Sequence, residues 1–271
     1  MQKVCKTLII FLLLPISCFL QITPQELLNK IENAMGGKLA LQKIQTLQYK
    51  SSIQMNVMGQ SFTIGINNVK ENGKLCRRET DGMFGMKGSV SLITDTGMYI
   101  AAPNMSNFGE GKTDGNQIQQ ASAKEYLLSK YLLETQGYFA PLVDCFSKGN
   151  KFEIIETKKV NGAECIKVLL TLISKQKLVY YVNANSFLIE QAEIEGESAM
   201  VYLGLGGMMK NFMSRMDKLK LVITYSNYKQ FGGIMFPTKE SIAVGANDFV
   251  QETEEFIINE PIANTQYILK Q

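Results

Sequence analysis

Histidine and tryptophan are both absent from the 271-residue chain. Without histidine the sequence lacks the commonest general base and the commonest metal ligand, which weakens every histidine-dependent hydrolase or zinc reading. Neither sign of charge dominates: 28 basic residues face 25 acidic ones, a net of +3. That balance is too even for the concentrated basic face a nucleic-acid binder needs. Cysteine is sparse, and only Cys76, Cys145 and Cys165 lie beyond the first twenty residues. Three cysteines make no disulfide framework, although one pair has the option of bridging in an oxidising space, and no CxxC spacing exists. Cys165 sits among Ile166, Val168 and Leu170 and reads as a small buried hydrophobe. The GLGG at 204–207 lacks the third glycine of a dinucleotide fingerprint, and neither a Walker sequence nor a GxSxG elbow is present. Acidic pairs such as Glu195/Glu197 and Glu254/Glu255 read as a wet strand face. The expectation is therefore a protein that is not an enzyme, with no metal and no cofactor.

Long apolar runs are missing too, except at the start. Lys3 and Lys6 precede the apolar stretch Leu8 to Leu14, and the small residues Ser17 and Cys18 follow, the order of a secretory signal over residues 1–20. The run is too short to span a bilayer comfortably, so the chain is expected to be exported and otherwise soluble, in the periplasm or at the outer membrane. Leu14-Pro15-Ile16-Ser17-Cys18 resembles a lipobox, with Pro15 where leucine is usual. Cys18 is thus either a lipidated N-terminus or removed by ordinary cleavage nearby.

What is present is enough apolar residue, 45% of the chain, to bury a sizeable core, patterned mostly for strands. One helix opens the remainder, 21–271: Thr23 caps, Pro24 starts, Glu26 completes a capping box, and Leu27, Leu28, Ile31 and Met35 recur at helical spacing until Gly36-Gly37. A short second helix runs from Leu39 to Ile44. From Thr46 the period becomes two, with Leu47, Tyr49, Ile53, Met55 and Val57 against Gln48, Lys50, Ser52, Gln54 and Asn56. Beyond Gly59, Phe62, Ile64 and Ile66 alternate in the partner strand. Turn signals at Asn72-Gly73, Thr96-Gly97, Asn161-Gly162 and Gly232-Gly233 punctuate further strands, including one in which Leu219, Leu221, Ile223 and Tyr225 alternate. The polar, Gly/Asn-rich stretch 103–116 reads as a loop, Ser122 to Glu134 as a helix and Phe139 to Phe146 as a short apolar segment.

Sequential hairpins imply an antiparallel meander. The expected fold is mainly β (α+β), one large curved antiparallel half-barrel of about ten to eleven strands with short helices as a lid, because so long a sheet must twist and its apolar face needs a cover.

Met200 to Met216 (MVYLGLGGMMKNFMSRM), within an insertion near 198–217, holds Met208, Met209, Phe212 and Met213 with loosening glycines. It reads either as a mobile apolar rim that touches acyl chains or a membrane surface, or as an insertion whose methionines fill core gaps. Met83, Phe84 and Met86 form a smaller version.

The pattern resembles the outer-membrane lipoprotein-sorting proteins, the LolA-like group with its relatives in lipoprotein reception and glycolipid transport. The resemblance covers most of the chain after the signal. It rests on Leu28-Asn29-Lys30-Ile31 leading to Ala34-Met35-Gly36-Gly37, on Leu47–Val57, and on Tyr180-Tyr181-Val182-Asn183 followed by Phe187-Leu188-Ile189. Its most specific piece is Tyr225-Ser226-Asn227-Tyr228 running on to Gly233-Ile234-Met235-Phe236-Pro237. It implies an open half-barrel closed by helices around an apolar cavity for lipid or lipoprotein acyl chains. The Met-rich insertion departs from that pattern. No ligand-contact residue transfers from the family, so the expected lipid-binding face comes from alternation alone. It comprises Tyr49, Ile53, Met55, Val57, Phe62, Ile64, Ile66, Leu221, Ile223 and Tyr225, with Met208, Met209, Phe212 and Met213 as rim. Burying a chain of about sixteen methylenes gains on the order of 12 kcal/mol, so a carrier must offer a continuous apolar surface. The competing expectation is a structural or interaction module of an envelope complex, with a packed interior.

Overall fold

The structure is a computed structural model that describes residues 22–57, 60–82, 87–103, 117–203, 219–245 and 247–269; the side chains at 55–57 and 60 are outside the description. Thr23 Oγ1 accepts from the Glu26 amide at 3.2 Å and the Glu26 carboxylate accepts from the Thr23 amide at 2.8 Å. This reciprocal box starts α1 (Pro24–Ala34), whose apolar stripe buries Leu27, Leu28 and Ile31. A short α2 (Lys38–Gln42) follows.

The turn between them is held by a close backbone approach. The Met235 amide donates to the Met35 carbonyl at 3.0 Å, and Gly36, at φ +122°, would place a Cβ 2.4 Å from the Gly233 carbonyl oxygen. Gly36→Ala is expected to lose more than about 1 kcal/mol in urea denaturation, because both the backbone conformation and the space are incompatible with a side chain. Gly37→Ala, with nothing within 4 Å of its Cβ, should cost less.

Thirteen strands follow: β1 Thr46–Val57, β2 Gln60–Glu71, β3 Leu75–Thr80, β4 Val90–Thr94, β5 Met98–Ala102, β6 Gln117–Gln120, β7 Lys151–Val160, β8 Ala163–Thr171, β9 Lys177–Asn183, β10 Ile189–Glu195, β11 Lys220–Phe231, β12 Ile234–Val244 and β13 Asn247–Ile258. Among the described residues alone, the count exceeds the ten to eleven expected. One strand that alternation could not announce is β6, whose QIQQ is exposed throughout. The β7–β8 turn is as the sequence predicts, with Asn161 and Gly162 at φ 49° and 86°.

All pairings are antiparallel, in the order β6-β5-β4-β3-β2-β1-β13-β12-β11-β10-β9-β8-β7. The first strand therefore lies against the last, Leu47 opposite Ile258, and the two edges are β6 and β7. The chain that joins those edges carries α3 (Ala123–Ser129) and the 3-10 turns Lys130–Leu133 and Gly137–Leu142. The result is an open half-barrel whose lid is the connection between its two edge strands. A second capping box, Ser122 with Glu125, starts α3, and α4 (Glu197–Tyr202) lies between β10 and β11. Lys124 and Glu197 join α3 to α4 at 2.7 Å.

The main core joins α1 (Leu27, Ile31), the lid (Phe139, Leu142) and the strands (Val168, Leu221). On the other face of the sheet, Val69, Leu75 and Leu92 pack with Ile262, Tyr267 and Leu269 of the C-terminal tail. Cys76, Cys145 and Cys165 are free thiols, the last two buried, and burial pushes the Cys145 thiol up to about 11. No disulfide joins them.

Candidate functional site

Residues directly opposite in an antiparallel pair share a face. Two rows cross the inner face on that basis. One runs Tyr225–Glu240–Gln251–Ile53–Ile64 over β11, β12, β13, β1 and β2. The other runs Tyr49–Asn68–Arg78–Ser91–Ile100 over β1 to β5. The rows differ from a uniformly oily surface in their polar centre. Ser51 and Thr253 hydroxyls share a hydrogen bond of 2.7 Å, and Gln251 Nε2 donates to Ser51 Oγ and to Glu240, each at 3.5 Å.

The lid lies directly on the apolar half of this face. The Tyr138 ring stacks on Tyr225 at 4.1 Å between centroids, and its hydroxyl is 2.5 Å from that of Tyr228. Tyr180 donates to the Tyr138 carbonyl at 3.2 Å. Phe139 lies 5.9 Å from Phe236, which stacks on Phe256 at 4.3 Å. Among the described residues, side chains occupy this half of the concavity.

Space remains beneath the lid over the polar half. A cavity of about 70 Å³ is lined by Asn68, Lys70, Arg78, Tyr131 and Tyr202 among others. A neighbour of about 50 Å³ shares Tyr49, Asn68, Arg78, Tyr138 and Tyr202 and adds Glu240 and Gln251. Each has room for a few water-sized groups and neither for a hydrocarbon chain. Burial pushes the Glu240 carboxyl up to about 7, with Arg78 pulling the other way. The hydroxyls of Tyr49, Tyr138, Tyr202, Tyr225 and Tyr228 are all raised, burial first and the Glu240 charge among the further causes. Arg78 Nε and the Tyr131 hydroxyl are buried without a hydrogen-bond partner among the described residues.

A larger space lies outside the lid. A groove of about 500 Å³ runs between the lid (Leu127, Tyr131, Pro141) and the β8–β9 turn (Leu172, Ile173), with Lys130, Lys148 and Lys175 also on its walls. Leu127 is 48% and Ile173 72% exposed, so the groove presents apolar side chains to solvent. Lys148 is paired with Glu134 at 2.5 Å. Tyr131 lines both spaces.

No protein-family model matches the chain, and no curated protein matches it either. Solved structures do. A LolA superfamily protein from Nitrosomonas europaea superposes with a TM-score of 0.55 at 13% identity, over 92% of this chain and 98% of its own. The fold is LolA-like. A DUF1329 family protein from Desulfovibrio piger gives a TM-score of 0.55 at 12% identity, covering 90% of this chain and 95% of its own. A domain named for outer membrane lipoprotein sorting, from Vibrio parahaemolyticus, gives 0.50 at 11%, covering 90% and 97%.

Within this LolA-like sheet, pairing puts Tyr49, Ile53, Ile64, Ile66, Leu221, Ile223 and Tyr225 on the inner face, and Phe62 by its register with Met55. Leu221, Ile223 and Tyr225 are fully buried in the packed core and line neither interior cavity. Tyr49 lines both cavities; Ile53, Ile64 and Ile66 line neither. Val57 pairs with Gln60, and the side chains of Met55 and Val57 are outside the description. Met208, Met209, Phe212, Met213 and Cys18 also lie outside the described residues, as do Met83, Phe84 and Met86. Of the Met-rich segment the structure describes only its start, where Met200 and Val201 are buried in α4 and Tyr202 lines both cavities.

Alternation overlooked Asn68, Lys70, Arg78, Glu240 and the lid tyrosines. A signal existed for some. Glu240 is in phase with Ile234, Phe236 and Ile242, and Asn68 and Lys70 with Ile64 and Ile66, so these polar residues occupy inward positions of amphipathic strands. Nothing local marks Tyr131 or Tyr138, which acquire their place from the fold of the lid.

Proposed function

We propose that this chain is an exported, non-enzymatic carrier or acceptor of lipid or lipoprotein acyl chains in the bacterial cell envelope. Residues 1–20 act as its export signal, with Cys18 the point of lipidation if it is retained. Residues 21–271 form one half-barrel domain with the Met-rich insertion near 198–217 as a rim. The observation that carries the reading is the groove of about 500 Å³, largely apolar and exposed to solvent at Leu127 and Ile173, on a LolA-like fold. That volume falls within the range of pockets that hold small ligands. A structural neighbour named for outer membrane lipoprotein sorting supports it at the level of fold.

The test is native mass spectrometry of the protein purified from membranes. Acyl-containing adducts are expected on the wild type and a clear reduction on Ile173→Asp, a change at an exposed position that should leave folding within about 0.5 kcal/mol. Protein that is consistently empty overturns the proposal. The packing of Tyr138 and Phe139 on Tyr225 and Phe236 favours a second reading, an interaction module of an envelope complex. Under that reading the purified protein carries no lipid and retains a stable protein partner in pull-downs.

A further inference from the structure

The interior cavity of about 70 Å³ has two cationic side chains on its wall, Lys70 and Arg78, and no carboxylate among the described residues. Lys70 is only 7% exposed; among the described residues its Nζ donates to the Glu134 carbonyl at 3.2 Å, and its charge also acts on the Glu134 carboxylate, which Lys148 already pairs. Arg78 Nε is buried and has no acceptor among the described residues, and the Tyr131 hydroxyl on the same wall has no partner either. Buried donors without an acceptor are unfavourable, and a small anion would supply one to Arg78 Nε and the Tyr131 hydroxyl beside the Lys70 ammonium. Glu240 lines the adjoining cavity, where burial pushes its carboxyl up to about 7 and Arg78 pulls the other way.

Size separates two parts of a ligand. The interior holds a carboxylate or phosphate but no chain, whereas the groove holds a chain and offers mostly apolar wall. Tyr131 lines both. Lys130 and Lys175 flank the groove and give an incoming anion a favourable approach, while Lys148 is already paired with Glu134.

Resting on the lipid-binding reading above, we propose that the cavity around Lys70, Arg78 and Tyr131 is an anion site. It takes the carboxylate or phosphate head of a single-chain amphiphile whose acyl chain passes Tyr131 and lies in the groove.

The experiment is calorimetric titration of the delipidated full chain with palmitate, 1-palmitoyl-lysophosphatidate and neutral 1-monopalmitoylglycerol. At least one anionic lipid is expected to bind about tenfold or more tighter than the neutral one. Palmitate alone showing the preference identifies a carboxylate site, and lysophosphatidate alone a phosphate site. In Arg78→Met and in Lys70→Met the preference should shrink to about twofold. The wild-type preference decides independently of either variant. Equal affinity for all three lipids in the wild type overturns the anion site and leaves lipid binding standing. No binding of any lipid removes both.

Discussion

Raising the pH from about 4.5 to about 7 is expected to destabilise the protein by about 3 kcal/mol through Glu240 alone. In the unfolded chain this carboxyl ionises near 4.5, and in the folded protein burial holds it protonated up to about 7. Between those values the native state keeps a proton that the unfolded state has released. Stability is therefore greatest below the lower value, declines as pH rises through the window, and is flat above it as far as this group is concerned. Urea denaturation of wild type and Glu240→Gln at pH 4.5 and pH 7.5 isolates the effect, because other titrating groups cancel in the comparison. The variant should gain about 3 kcal/mol relative to wild type between the two conditions. Identical pH dependences would show that the carboxyl is solvated. The same titration alters the cavity, since an ionised Glu240 beside Arg78 competes with any anion there.

Phe139→Ala should be the most damaging single change in the lid. Phe139 is 1% exposed and meets Tyr138 at 5.0 Å and Phe236 at 5.9 Å, so truncation leaves a void in the layer that joins the lid to the sheet. The expected loss is about 3–5 kcal/mol. For a chain of this size that lowers Tm by about 10 °C. Amide exchange should rise first over 123–142, which the lost contact ties to the strands. Leu127→Ala, two-fifths or more exposed on the same lid, serves as the contrast and should shift stability by no more than about 0.5 kcal/mol. Equal effects of the two substitutions would mean that the lid is not anchored through Phe139.

How much of this was legible beforehand depends on range. The Thr23–Glu26 box, the Asn161-Gly162 turn and the inward phase of Leu47, Tyr49, Ile53 and Ile64 are written in residues a few positions apart, and they hold in the structure. The lid helix was legible from its spacing, although it ends as an α-helix at Ser129 and continues as a 3-10 turn. The proposed anionic-head site was not legible as a site, because Lys70, Arg78 and Tyr131 lie on three elements, and the inward phase of Lys70 in its strand does not name its partners. The groove was missed for the same reason, since Leu127 and Ile173 meet only through the lid's return across the sheet.

Periodicity, capping and turn chemistry are local, and they suffice to specify an antiparallel meander with one inward apolar face. The placement of β1 against β13, the separation of the β6 and β7 edges and the filling of half the concavity by Tyr138 and Phe139 are decided by tertiary packing. Those features depend on how the twist of thirteen strands accumulates and on which side chains the edge-to-edge connection delivers, and neither quantity is a property of any short segment.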